Sequence, residues 1–225
     1  MSGLAALIFD VDGTLAETEE AHRAAFNAAF AAAGLGWHWS MADYGRLLTT
    51  TGGKERMARW REERGSGPSD ATIAALHGEK TARYAALMAG GGLMARPGVL
   101  ALVAAGRAAG LRLAVATTTS PGNVEALTQA LWGRAAGDVF DVVAAGDEVA
   151  AKKPAPDVYA LALRRLGLPA AAALAFEDSR NGVLSARGAG LRVVVTPSAY
   201  TAGEDFAGAS EVLADLTGFD LTRWG

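Results

Sequence analysis

From residue 111 to residue 195 short apolar runs alternate with helical stretches, and that alternation leaves few folds open. Residues 111–116, 140–145, 172–176 and 192–195 read as strands, and residues 123–132, 156–166 and 181–189 read as the helices between them. Strands joined through helices run parallel, and right-handed crossovers cover both faces of the resulting sheet. One more strand precedes the series: residues 4–9 form an apolar run stopped by Asp10, Asp12 and Gly13. The pattern predicts an α/β fold with a Rossmann-like, parallel-sheet core.

Between the first strand and this alternation the pattern is helical only. Residues 18–33 place Ala21, Ala25, Ala28 and Ala32 three and four apart, with Gly34 as the stop. Residues 44–64 read as helix, turn, helix, with 49–53 as the turn, and residues 70–88 as a further helix. Gly90, Gly91 and Gly92, then Pro97 and Gly98, end the helical pattern. The expected organisation is a core of residues 1–15 and 96–225 with an inserted all-helical cap domain of residues 16–95.

Composition narrows the function. A chain of 225 residues that is 51% hydrophobic can bury a substantial core, and its net charge of −3 offers no basic field for nucleic acid or an anionic membrane. There are no cysteines, which excludes disulfides, thiolate metal sites and a cysteine nucleophile. The first residues run into a strand without the basic region and long apolar stretch of a signal peptide, and no apolar run is long enough for a bilayer. A cytoplasmic protein with no nucleic-acid or membrane partner is expected; a monomer is compatible with the pattern.

In an open parallel sheet, ligands sit at the carboxyl ends of the strands. The notable polar residues follow predicted strands: Asp10 and Asp12 the first, 117–120 the second, Lys153 beyond the third, Glu177 and Asp178 the fourth. Acidic residues brought together repel one another, so the cluster invites a divalent cation, and oxygen-only ligands favour Mg2+. A lysine and threonine hydroxyls suit the oxygens of a phosphate. These parts fit phosphoryl transfer, in which positioning and charge stabilisation dominate. Taken singly, the same residues also read as turn and helix caps: Asp10 and Asp12 in an Asx turn, Glu177 and Asp178 at a helix start.

The stretch Phe9-Asp10-Val11-Asp12-Gly13-Thr14-Leu15 resembles the first motif of the haloacid-dehalogenase-like phosphohydrolases. Thr117 in Val115-Ala116-Thr117-Thr118 resembles the second, Lys153 in Lys152-Lys153-Pro154 the third, and Glu177-Asp178-Ser179 the fourth. The resemblance implies that Asp10 attacks phosphorus and that Asp12 serves as acid and then base. It implies a magnesium held by the Asp10 carboxylate, the Asp12 carbonyl and the Asp178 carboxylate, with Glu177 supporting it. Thr117 and the Thr118 N–H would hold the phosphoryl group. Lys152 beside Lys153, and Thr118 and Thr119 beside Thr117, leave a one-residue alternative open at two motifs.

The inserted helices resemble the cap of the subgroup containing beta-phosphoglucomutase and the CbbY-type sugar bisphosphatases. Thr51-Gly52-Gly53-Lys54-Glu55-Arg56 is the informative string. Its glycines let backbone approach a ligand, and Lys54 and Arg56 place two cations at a helix start, where a second phosphate would dock. The CbbY-type resemblance implies xylulose 1,5-bisphosphate as substrate, with Glu17 and His22 meeting the sugar. Trp37, Trp39 and Tyr44 are expected in the cap interior, and Lys80 on the surface, with a place on the cap face as the alternative. Two other functions share these residues: a sugar phosphomutase, in which a sugar hydroxyl takes the phosphoryl group, and a catalytically silent phosphate-ligand binding protein.

Overall fold

The computed structural model describes residues 3–225. Six strands form one sheet: β1 (Ala6–Phe9), β2 (Arg112–Thr117), β3 (Val142–Ala145), β4 (Ala173–Glu177), β5 (Arg192–Val195) and β6 (Glu211–Val212). Their order is β3-β2-β1-β4-β5-β6, and every neighbouring pair is parallel. β6 is the strand that the sequence pattern misses, because two residues at a sheet edge carry no periodicity.

Strand alternation sorts the buried side chains onto two faces. Leu7, Phe9, Leu113, Val115, Leu174 and Phe176 form one cluster, while Ala6, Ile8, Ala114, Ala116, Ala173 and Ala175 belong to the other. The bulky face is covered by α5 (Val99–Ala108) and α6 (Pro121–Trp132). The short α7 (Ala136–Val139) also packs on the bulky face, and the alanine-rich face takes α8 (Asp157–Leu166) and α9 (Arg180–Gly188). Along α8 the buried residues Val158, Tyr159, Ala162, Leu163 and Leu166 recur at helical spacing, which makes a single stripe against the sheet.

Four helices lie between β1 and α5: α1 (Glu19–Ala32), α2 (Met41–Leu47), α3 (Gly53–Arg64) and α4 (Asp70–Ala89). They carry a core of their own, in which Phe26, Phe30, Trp37, Trp39, Tyr44 and Trp60 pack with Met57, Ile73 and Leu76. Ser40 caps α2 through a reciprocal bond with Asp43, and Ser69 caps α4. The chain leaves and re-enters the sheet domain side by side, with Ala16 bridged to Ala95 and the Arg96 N–H donating to the Leu15 carbonyl. Among the described residues, no helix is long and apolar enough to cross a membrane.

Candidate active site

Register alone begins the site. β1 pairs with β4 so that Phe9 faces Phe176, and the residues that follow, Asp10 on one strand and Glu177 and Asp178 on the other, emerge together at the carboxyl edge. One oxygen from each of Asp10, Glu177 and Asp178 lies within 4.8 Å of the others. Gly13 (φ +81°) makes this possible: a Cβ there would sit 2.2 Å from Asp178 Oδ2.

Lys153 ties the carboxylates together. Its Nζ donates to Asp10 Oδ1 and to Glu177 Oε1, both at 2.6 Å, and the Tyr159 hydroxyl donates to the same Glu177 oxygen at 2.7 Å. Burial opposes the Lys153 ammonium, but Asp10 and Glu177 more than offset it and hold its pKa above the ordinary lysine value. Burial also dominates at Asp10; with Glu177 and Asp12 it outweighs Lys153 and pushes the carboxyl up to about 7. Burial, then Asp10 and Glu177, push Asp178 well above the carboxylate range. Once ionised, three buried carboxylates facing a single lysine carry surplus negative charge. Their donors are all oxygens, so a hard divalent cation fits the set.

Asp12 turns away from this trio toward the helices. Its Oδ1 accepts from the Thr18 hydroxyl at 2.6 Å and lies 2.8 Å from His22 Nε2. On the far side of the ring, Lys80 Nζ is 2.6 Å from His22 Nδ1. An ammonium can only donate, so Nδ1 accepts and Nε2 carries the proton that it gives to Asp12. Burial favours the neutral Asp12 carboxyl, yet His22, Thr18 and Lys80 together outweigh it and hold the group below the usual carboxylate range. The expectation of a surface Lys80 is corrected: its side chain is buried, because it continues the inward stripe of Ile73, Leu76, Tyr84 and Met88 on α4. That spacing is the signal by which the sequence could have revealed it.

Two chambers open from Asp12. The smaller, about 70 Å³, is lined by Asp10, Thr117, Thr118, Lys153 and Asp178 from the sheet and by Glu19, Thr51 and Arg56 from the helices. The Thr117 hydroxyl already accepts from the Thr119 N–H at 3.2 Å, which points its oxygen along the loop. The larger chamber, about 310 Å³, runs from Asp12 and His22 past Gly52, Gly53, Arg56, His77 and Lys80 to Asp147 and Lys152. Arg56 and Thr118 border both. The sequence-predicted residues thus converge, with two exceptions. Glu17 lines neither chamber: it precedes α1 and turns outward, 3.4 Å from Arg96 Nε, while Glu19 faces the cleft. Lys54 does not line the larger chamber either, because its ammonium is held on Asp147.

Arg56 is built in rather than solvated. Its Nε donates to the Thr50 carbonyl at 3.0 Å and Nη1 to the Tyr44 hydroxyl at 2.8 Å, and that hydroxyl donates to Glu19 at 2.7 Å. The guanidinium also stands 5.4 Å from the Tyr44 ring centroid. Helices and sheet are joined directly, with the Thr51 hydroxyl donating to the Lys153 carbonyl and the Asn181 amide donating to the Thr49 carbonyl at 3.3 Å.

Known proteins resemble this chain over nearly its whole length. A model of the haloacid dehalogenase-like hydrolases matches residues 4–190. Protein CbbY of Rhodobacter capsulatus is 64% identical over 214 residues, covering 95% of this chain and 94% of the relative, and Protein CbbY of Cereibacter sphaeroides is 55% identical over 96% and 97%. Two crystal structures of CbbY from Rhodobacter sphaeroides, one with phosphate and one of an aspartate-to-asparagine variant with xylulose-(1,5)bisphosphate, superpose at a TM-score of 0.93, with 54% identity over 96% of each chain. Matched by the family model over residues 4–190 and by a relative over 95% of its length, the chain belongs to the haloacid dehalogenase-like hydrolase family.

Proposed function

We propose that the protein is a magnesium-dependent phosphatase that hydrolyses a small sugar bisphosphate, xylulose 1,5-bisphosphate, through an aspartyl-phosphate intermediate in the cytoplasm. The observation that carries this reading is the pair of chambers meeting at Asp12: one furnished for phosphoryl transfer, the other about 310 Å³ in volume and lined by Arg56, Lys80 and Lys152, cations suited to a second phosphate. Its similarity to proteins named CbbY, one of them bound to that bisphosphate, supports the choice of substrate. Residues 16–95 act as the cap and residues 1–15 and 96–225 as the catalytic core, hinged where Ala16 meets Ala95.

A magnesium ion held by Asp10, the Asp12 carbonyl and Asp178 would neutralise charge on the transferring phosphoryl group. Glu177 is committed to Lys153 and Tyr159, so it supports the site rather than ligating directly. The Asp10 carboxylate forms a bond to phosphorus as the phosphorus–oxygen bond to the sugar breaks. The negative charge of the bound phosphate opposes the pull of His22 and Lys80 on Asp12, which in its protonated form gives a proton to the departing sugar oxygen. Water then attacks the aspartyl phosphate, Asp12 takes its proton, and Asp10 and inorganic phosphate are regenerated. The His22–Lys80 pair orients the Asp12 carboxyl through both half-reactions. Lys153 balances the charge of phosphorylated Asp10, and Thr117 and the Thr118 N–H receive the phosphoryl oxygens. Thr51, Gly52, Gly53, Lys54 and Arg56 line or flank the path of the sugar and its second phosphate.

Asp10→Asn should abolish turnover while leaving the unfolding midpoint within the wild-type range or above it, since an amide is a poor nucleophile and removes a buried charge. Phosphate release from xylulose 1,5-bisphosphate in magnesium, with label trapped on Asp10, is the direct test. Isomer formation without phosphate release would make the protein a mutase, and label on a serine, threonine or histidine would sink the mechanism.

A further inference from the structure

Where helices and sheet meet at the far end of the larger chamber, four charges form a closed set. Asp147 lies in the turn after β3, with its Oδ2 on Lys54 Nζ and its Oδ1 3.0 Å from Lys152 Nζ. Lys152 Nζ also lies 2.9 Å from Glu55 Oε1, and the other Glu55 oxygen is buried without a hydrogen-bond partner. Two lysines, one from α3 and one from the loop before Lys153, thus converge on one carboxylate. The burial is uneven: the Lys152 side chain is 14% exposed and that of Asp147 58%. The cation belongs to the chamber wall, while the anion stands at its mouth and can swing into water. Gly52 (φ +95°) keeps the space tight, since a Cβ there would sit 2.8 Å from Lys152 Nζ.

We propose that Asp147 is an internal counter-anion that competes with the substrate's second phosphate for Lys54 and Lys152, and so sets how strongly the enzyme favours a bisphosphate over a monophosphate. The proposal rests on the bisphosphatase reading above and adds a residue to it. A phosphate dianion offers more charge and one more acceptor oxygen than a carboxylate, so it can displace Asp147 from both lysines. A monophosphate or a neutral sugar end cannot, and leaves the lysines on Asp147. Because the carboxylate is more than half exposed, water can take over its hydrogen bonds when it is displaced, which makes it a tuning element rather than a block. Asp147 is held low, at about 2, first by its bonds to Lys54 and Lys152, so the competitor is ionised throughout the working range.

The test is kcat/KM for xylulose 1,5-bisphosphate and for an aryl phosphate in the wild type, Asp147→Asn and Asp147→Glu, with Asp147→Asn repeated in a Lys152→Met background. Asp147→Asn should lower KM for the bisphosphate about three- to tenfold and raise the bisphosphate-to-aryl ratio by the same factor. Asp147→Glu should restore the wild-type ratio, and the gain should vanish when Lys152 is gone. If the wild type hydrolyses the bisphosphate but Asp147→Asn raises its KM or leaves the ratio unchanged, Asp147 is only a strut between cap and core and this proposal fails alone. If the wild type releases no phosphate from the bisphosphate, the functional reading and this proposal fall together.

Discussion

Lys80 is a buried charge whose cost can be measured. Its side chain is 3% exposed, with Nζ 4.8 Å from the Phe26 ring centroid and 5.1 Å from that of Tyr84. Burial lowers its pKa from 10.5 to about 8; Asp12 and Glu19 act in the opposite direction and Arg56 in the same one. His22, in direct contact, and His77 on the same helix complete its titratable surroundings. Below the folded value the lysine is charged in both states, and above the unfolded value it is neutral in both. Between them the unfolded chain binds more protons, so stability rises with pH across the window from about 8 to 10.5. The gap corresponds to about 3 kcal/mol. Other groups titrate too, so the useful quantity is the difference from Lys80→Met, which keeps the aliphatic length without the charge. Urea unfolding at fixed magnesium on either side of the window should show wild-type stability gaining about 3 kcal/mol on the variant as pH rises. A difference that stays flat would refute the buried-charge account. The same variant should lose kcat at neutral pH, since His22 Nδ1 loses its donor and Asp12 its oriented partner.

Tyr159→Phe removes one of two donors from a Glu177 oxygen, and should cost about 1–2 kcal/mol in urea unfolding and lower kcat with little change in KM. Unchanged kcat would show that Lys153 alone positions Glu177. Arg56→Ala should lower kcat/KM on the order of tenfold to a hundredfold with a sugar bisphosphate and far less with an aryl phosphate. Lys54→Ala should lose less than Arg56→Ala, because Lys54 reaches the second phosphate only by leaving Asp147; equal losses on both substrates would assign either residue to cap folding instead. Gly52→Ala places a Cβ 2.1 Å from Glu55 Oε2 at φ +95°, and the strain of about 1–3 kcal/mol should appear as a loss of about tenfold in kcat/KM for the bisphosphate. A fully active Gly52→Ala would mean that the α3 start is free to move.

The parallel sheet and the inserted helices were legible in the sequence, because strand and helix periodicities are local and each apolar run ends in the polar residues of the site. β6 and α5 were not, since neither a two-residue edge pair nor a short, nearly all-apolar stretch shows the periodicity that marks an element. Asp10, Asp12, Thr117, Lys153 and Asp178 are brought together for a further reason: each lies at or beyond the carboxyl end of a strand, and strand ends in one parallel sheet share an edge. What the chain could not declare locally was who faces whom. That Lys153 rather than Lys152 reaches Asp10, that Lys152 joins Asp147 and Glu55, and that Glu19 rather than Glu17 faces the cleft depend on side-chain direction at contacts across the fold. The same holds for Lys80, whose charge is tolerated inside because α1 brings His22 and the Asp12 loop against it. Sequence alone therefore determined most of the elements and the chemical inventory, which follow from short-range periodicity and residue type. Tertiary structure decided the pairing of buried charges, because that depends on distances between segments far apart in the chain, where a shift of one residue reverses which side chain points inward.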